Sequence, residues 1–534
     1  MNASRWWLGI LVILFVWPSP GSGQSTGGAS EPWWMAWSPL APLAESSRPP
    51  APTPVFPSVL GPAPPRVGQH WTVGNPGALP FEVEEARTDF HALHSTETGR
   101  YRRPLDPGHI RRIRVSAGGW TPVEVSGGAM GAVSVERTSL GSGAPSDVAD
   151  PYGMSPHLFA DDSGTDLGRT LARLEGAGGW RLGPFGLGLA AAYMSWDTRT
   201  GETVFPRFQR GSRSGAVVGI AGEAGAFVVG ARARWLGEVQ AISVSNRSAE
   251  VKRVYLFEGF GEPVSQELGY REGYSRRVDR EGGGFGLSGM MNLGGLHWVL
   301  FGEWETLTEK QSQQSVNEPP TDRWEATGPR LGAATQGSIA EGRAEFLAHV
   351  VWYRFSGEGT RAGLEQEGTL FEATEEVWHA SAELRIRPTE DWTFATHVDL
   401  ARHDRERTDL LVHVNSSLST WRPALALEAA HDMGTFAVSA GAGVAWHTPR
   451  GGIPDPAYQQ EAYRDWIAPE QTYEATGSLS RSALFTVSWS APRGDHVSLE
   501  LRYDHVTPRE TAVQVSPAPV GERDLLNIGL RWVP

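Results

Sequence analysis

His379, Glu383, His397, Asp399 and His403 bring imidazoles and carboxylates into one short stretch of the chain. Such groups together bind divalent cations or trade protons near neutral pH. All five hold odd positions on either side of a turn near Pro388–Glu390, so in a hairpin they share one face. Spacing alone does not fix the register of the two strands, so no two of them are assigned a common metal or proton. Two adjacent pairs, His403-Asp404 and Asp504-His505, would serve a hydrolase at a rim only if both members pointed the same way. Neighbouring strand residues point to opposite faces. No enzyme activity is expected, and no catalytic, cofactor-binding or metal-binding residue is assigned.

Composition narrows the chemistry further. Among 534 residues there is no Cys, which removes disulfides, thiolate metal sites, cysteine nucleophiles and a lipidated cysteine together. A net charge of −14 argues against nucleic acid as a partner held by bulk positive charge. No phosphate-cradling Gly-x4-Gly-Lys-Ser/Thr loop occurs, and Gly282–Gly286 reads as a glycine-rich strand start. The 64 Gly, 38 Pro and 22 Trp stand beside a mean hydropathy of −0.31, too polar for a bundle of membrane helices.

The elements that must position these residues alternate with period two. Val497, Leu499, Leu501 and Tyr503 face one way; Ser498, Glu500, Arg502 and Asp504 face the other. Leu296, Trp298, Leu300 and Trp304 oppose His297, Glu303 and Glu305. Trp378, Ala380, Ala382, Leu384 and Ile386 oppose His379, Ser381, Glu383, Arg385 and Arg387. Leu526, Ile528, Leu530 and Trp532 oppose Asn527, Gly529 and Arg531. Many runs exceed the length of ordinary globular strands. Trp196, Trp235, Trp304, Trp352, Trp378, Trp392, Trp446, Trp489 and Trp532 fall near the ends of apolar stripes, as girdles at a lipid interface do.

Connections alternate between short and long. Short turns fall at Arg181–Pro184, Glu223–Gly225, Asn292–Gly294, Ala340–Gly342, Pro388–Glu390, His431–Gly434 and Ala491–Gly494, with another near Trp120–Val123. Long connections fall at about 140–167, 198–212, 241–280, 309–328, 358–373, 448–470 and 508–522. The pattern predicts an all-β fold, a transmembrane antiparallel up-and-down β-barrel of about 18 strands with long extracellular loops. If 84–97 and 106–119 lie outside the wall, the number is 16. An open sheet cannot sit in lipid, because its edge groups would have no partner.

Arg5 followed by the apolar run Trp6–Trp17 and small residues to Gly23 predicts a signal peptide over 1–23. Residues 24–66, rich in Pro, Ser, Ala and Gly, predict an extended linker, leaving 67–534 for the barrel.

Gly74-Asn75-Pro76, Asp150-Pro151-Tyr152, the repeated short hairpins and the closing Gly529-Leu530-Arg531-Trp532 together resemble uncharacterised outer-membrane β-barrel proteins of the Bacteroidota type, near the porin-like barrels without further domains. The resemblance covers about 66–534. It implies a place in the bacterial outer membrane and carries over no catalytic residue.

In such a barrel the polar stripes face the lumen. Glu303, Glu305, His379, Glu383, Arg385, His397, Asp399, Glu500, Arg502, Asp504 and Arg531 are the candidate lumen-lining residues. They read either as ion pairs bracing a wet interior or as charge rings that select solutes. The expected function is a channel or uptake-associated component for a small hydrophilic solute. The competing reading is a binding or structural barrel that anchors partners. Outer-membrane lipid is one expected partner, and a transporter or surface protein the other.

Overall fold

A strand with one apolar and one charged face needs two solvents, and this chain provides them by closing its sheet. The computed structural model describes residues 75–82, 87–99, 109–123, 127–144, 157–161, 165–200, 206–258, 264–293, 295–313, 322–339, 343–361, 369–410, 414–452, 468–491, 495–511 and 521–534. The expected signal peptide, the expected linker and Asp150-Pro151-Tyr152 lie outside these residues.

The wall begins with β1 (Arg87–Gly99), β2 (Ile110–Val123) and β3 (Gly127–Ala144). The short β4 (His157–Asp161) lies in the next connection. The wall continues through β5 (Thr165–Leu182), β6 (Phe185–Thr200), β7 (Arg207–Ala224) and β8 (Phe227–Ser245). The hairpin of β9 (Lys252–Glu258) and β10 (Val264–Leu268) joins β4 in a separate three-stranded sheet. Then come β11 (Gly273–Leu293), β12 (Leu296–Gln313), β13 (Asp322–Ile339), β14 (Ala344–Arg361) and β15 (Thr369–Ile386). The circuit ends with β16 (Trp392–Asp409), β17 (Val414–Asp432), β18 (Phe436–Gly452), β19 (Thr476–Ser490), β20 (His496–Thr511) and β21 (Arg523–Val533).

These wall strands form one 18-stranded sheet. Every pairing is antiparallel, and β1 closes on β21 from Phe90↔Trp532 to Gly99↔Arg523. Closure leaves no sheet edge, which is the condition for crossing lipid with strands. The two strands that could have reduced the count to 16 are β1 and β2, and both belong to the wall. No helix among the described residues is long and apolar enough to cross a membrane.

The outside is exposed and apolar. Leu174, Leu189, Val218, Val229, Phe285, Leu300, Leu331, Leu427 and Leu530 all point outward. The inside is buried and charged, the reverse of a soluble protein, so the barrel lies in a bacterial outer membrane. On β16 the outer apolar stripe runs from Trp392 to Arg402. At ~3.3 Å per residue this is about 33 Å along the strand, or about 25 Å tall at the usual ~40° tilt. Aromatics mark both limits. Trp352 and Trp378 stand 5.9 Å apart and donate their indole N–H groups to Glu376 at 3.0 and 2.9 Å. At the other limit Trp392 stacks on His431 at 4.7 Å, and Phe90 on Trp532 at 5.0 Å.

Three sequence expectations need correction. Trp196 is not part of a girdle. It is 7 % exposed and points inward, its ring lying over Gly211, with the Arg169 guanidinium 5.8 Å from it. Trp120–Val123 is not a turn, because β2 runs on through the pairs Trp120↔Met130 and Val123↔Gly127. Nor do short and long connections alternate throughout: β16 ends at Asp409 and β17 begins at Val414, so one loop-end connection is as short as a turn.

Two of the tight turns have only two residues, Gly183-Pro184 and Gly225-Ala226, between the pairs Leu182↔Phe185 and Ala224↔Phe227. Gly183 and Gly225 both have φ of +64°, the left-handed conformation that this first turn position demands. Space for a side chain is open at both. Gly225→Ala is therefore expected to cost only the backbone penalty, about 1 kcal/mol. The urea midpoint of the vesicle-folded protein measures it.

Candidate functional site

The interior wall is built from the inward members of each alternating strand. Glu303 and Glu305 stand on β12, yet their partners come from β8, two strands away. Arg232 reaches Glu303 at 2.5 Å and Arg234 reaches Glu305 at 2.6 Å. Both bridges cross β11 where it carries Gly284 and Gly286. A Cβ at Gly284 would lie 3.0 Å from the Glu303 carboxylate, and one at Gly286 would lie 3.3 Å from Arg232 Nε. The glycine run of β11 is thus a saddle that lets charges pair over a strand. Further outward the pairs join into a chain: Arg213 to Glu238 at 2.5 Å, Arg280 to Glu238 at 3.4 Å, and Arg280 to Glu309 at 2.7 Å. Gln311 then links Glu309 at 2.8 Å to Arg276 at 2.6 Å, and Arg276 ends on Asp322.

The hairpin of β15 and β16 settles the register that spacing left open. Glu383 sits opposite His397, and Ser381 opposite Asp399. His379 Nε2 and Asp399 Oδ2 are 2.6 Å apart. Arg385 donates to Glu383 at 2.5 Å, while His397 Nδ1 lies 4.0 Å from the same carboxylate. His403 stands apart from these four and pairs with Glu375 at 2.5 Å. Among the described residues, no group of three or more His, Asp or Glu side chains is placed to hold a metal ion. Sequence reasoning did not connect His349 of β14 to this patch. It shares a 2.9 Å hydrogen bond with Ser381, and its ring lies 5.1 Å from that of His379. Its odd number on the adjacent strand was the only signal.

On β20, Arg502 donates to Asp504 at 2.9 Å and Ser482 donates to the same carboxylate. Glu500 lies half-buried on the same face, one alternation from Arg502. Arg531 crosses the seam to Asp89 at 3.0 Å. The adjacent rim pairs diverge. Asp504 points inward, whereas His505 points outward to Asp524 at 2.9 Å. His403 points inward, whereas Asp404 meets Arg402 outside at 2.8 Å.

The short-turn end of the interior holds a piece of the chain itself. Asn75 caps a single helical turn, Pro76–Ala78, by accepting from Gly77 N–H at 3.1 Å. It also donates to the Ile220 carbonyl at 3.3 Å. The turn runs into α1 (Leu79–Glu82). Beneath it five inward glycines on four consecutive wall strands, Gly179, Gly186, Gly188, Gly219 and Gly230, form a smooth floor. A Cβ would come within 2.1 Å of Pro76 at Gly188, 2.0 Å of Asn75 at Gly219, and 2.5 Å of Pro76 at Gly179. Ala78 joins Ala221, Val228, Met290 and Val299 in one buried cluster, with Phe81 against it.

The loop end is also covered from within. α2 (Ala468–Glu474) places Glu474 3.0 Å from the inward Arg405. Val254 of β9 and Leu268 of β10 pack with the inward Ile242, Val244 and Tyr274.

No curated protein matches the chain. Among solved structures it is similar to the siderophore receptor PiuA from Acinetobacter baumannii, at 8 % identity and a TM-score of 0.35, covering 83 % of this chain and 81 % of that one. It is similar to OccAB3 of the same organism at 10 % identity and 0.33, covering 85 % and 100 %. For the outer-membrane transporter YddB of Escherichia coli the values are 7 % and 0.36, covering 84 % and 81 %. A model of a family of unknown function, DUF6850, matches residues 78–532, from the docked segment to the closing strand, and the chain belongs to that family.

Proposed function

We propose that the barrel is an uptake component that passes a small hydrophilic solute, and that its own residues 75–82 gate the short-turn end. The observation that carries this reading is the wall itself. A charged, paired inner face runs from Asp89 and Arg531 near one end to Arg276 and Asp322 near the other. An interior that served only to fill space would be cheaper to build from apolar side chains, because buried ion pairs are neutral to unfavourable beside well-packed hydrophobic ones. On this reading 1–23 is the export signal, 24–66 tethers the gate on the periplasmic side, and Glu303, Glu305, Glu383, Asp399, Arg385 and Arg502 set the field that a passing solute meets.

The covered interior favours one alternative, a barrel that anchors a transporter or surface protein without passing solute. Purified protein in planar bilayers separates the two. The uptake reading expects rare, brief current steps from the native chain, rising when the docked segment is freed. A bilayer that stays silent with a freed segment, while a partner protein co-purifies, would establish the anchor instead.

A further inference from the structure

Charge on the outer surface is unevenly distributed around the barrel. Above the apolar band on β13–β16, six acids (Glu325, Glu358, Glu372, Glu376, Asp404 and Glu406) face outward beside Arg323, Arg354 and Arg402. On β2–β7 the balance reverses. Arg111, Arg137, Arg199 and Arg210 point outward at the loop end. Among the side chains described as facing outward at that end of the stretch, Asp197 is the acid that meets them.

The arrangement has a definite form. Arg137, Thr170, Asp197 and Arg210 lie in one register row across β3, β5, β6 and β7. Arg111 sits one alternation beyond Ile113, the direct partner of Arg137, so the two arginines are diagonal neighbours. Asp197 holds the other two. Arg199 donates to it at 2.7 and 3.2 Å, and Arg210 at 3.0 Å. Two cations thus share one carboxylate, and both guanidiniums remain exposed, 45 % for Arg199 and 69 % for Arg210. Between the two arginine pairs β5 carries the small Thr170 and Gly168 on this face, which leaves a low shelf. Below it the lipid-facing residues are Ile113, Val135, Leu174 and Tyr193. The shelf therefore stands where the hydrocarbon ends and the headgroups begin.

We infer that this arginine shelf binds the phosphate groups of an anionic lipid in the leaflet at the loop end of the barrel. Guanidinium groups take phosphate oxygens through paired, charge-assisted hydrogen bonds. Two arginine pairs separated by a flat strand fit a headgroup that carries two phosphates. The acids of β13–β16 would repel the same headgroup, so the contact orients the barrel toward one class of lipid neighbour on one side.

The test uses the full chain in non-ionic detergent, with lipid A as a bis-phosphorylated probe and phosphatidylcholine as the zwitterionic one. Bound lipid is counted by native mass spectrometry. Lipid A is expected to be retained over phosphatidylcholine. Arg111→Gln with Arg137→Gln, and separately Arg199→Gln with Arg210→Gln, should each lower its affinity about tenfold, the loss of a charge-assisted hydrogen bond. Glu325→Gln with Glu372→Gln on the far side should leave it unchanged, and heat-modifiable gel migration checks that every variant is folded. Inorganic phosphate separates the two sources of the anion: a lipid site resists its competition, whereas full displacement by free phosphate would make this a soluble-anion site and overturn the lipid assignment. Equal retention of both lipids, or retention unaffected by either arginine pair, overturns the proposal outright.

Discussion

Gly188→Leu and Gly219→Leu should each turn a nearly silent barrel into a conducting one. At these positions an added Cβ would lie 2.1 Å from Pro76 and 2.0 Å from Asn75. The nearest atom at Gly188 is backbone, and at Gly219 it is the side chain that caps the docked turn. At Gly188 the backbone cannot swing aside, and at Gly219 displacing the Asn75 side chain gives up its bond from Gly77 N–H, so the segment has to leave. Its hold is modest. Burial of Leu79 contributes about 1.5–3 kcal/mol, and the bond from Asn75 to Ile220 adds about 1 kcal/mol. A total of about 2.5–4 kcal/mol corresponds to an undocked population between about one in a hundred and one in a thousand, which the larger side chains should invert. Planar-bilayer recording would register this as a rise in open probability of about two to three orders of magnitude. Gly289→Ala meets only a carbonyl at 4.0 Å and serves as the neutral control. The reverse experiment exploits the absence of Cys. Ala78→Cys with Ala221→Cys, drawn from one buried cluster, should silence the pore when oxidised and restore it when reduced. Folded leucine variants that remain silent would sink the gate.

The second large effect concerns the bridges over the β11 saddle. The Glu303 side chain is fully buried, and Arg232 is 14 % exposed. Removing one partner strands the other charge, which typically costs 3–5 kcal/mol, whereas replacing both by apolar groups is often nearly neutral. Glu303→Gln should therefore destabilise the barrel by about 3 kcal/mol, and Glu303→Met with Arg232→Met should recover most of that. Urea titration of vesicle-folded protein measures both. In the Gly188→Leu background the reversal potential under a salt gradient should also shift. Losing Glu303 removes the carboxylate that Arg232 meets and leaves one more positive charge at the saddle, so anions gain. A single variant as stable as the parent would mean that water already satisfies Arg232, and the saddle would lose its significance.

Much of the wall was legible because period two, turn chemistry and backbone accounting all point to the same answer. The turns at Gly183 and Gly225, the inward set from Glu303 to Arg531 and the count of strands each follow from such local rules. Trp196 misled because residue type was weighed above parity. It lies three residues from the outward Tyr193, so alternation alone sends it inside. Pairings across the hairpin of β15 and β16 were out of reach because register depends on turn length, and one residue of slip moves every partner. The dock was out of reach for another reason. Asn75 and Ile220 are 145 residues apart, and a glycine floor gives no sign of what lies on it. The recurrence of inward glycines on β5 to β8 is nevertheless visible once the faces are assigned.

The seam between β1 and β21 has a consequence for the order of events in time. Phe90 meets Trp532 and Asp89 meets Arg531, so the first wall strand waits for the last one to arrive. Until then two ladders of unpaired backbone groups stand open, and neither can enter hydrocarbon alone. The chain cannot insert strand by strand as it emerges. It must be kept from self-association until synthesis is complete, and insertion and closure must then be nearly one step. Pairing across so great a sequence separation is intrinsically slow. This chain should therefore depend on assistance during its passage to the membrane far more than its finished barrel depends on anything to stay there.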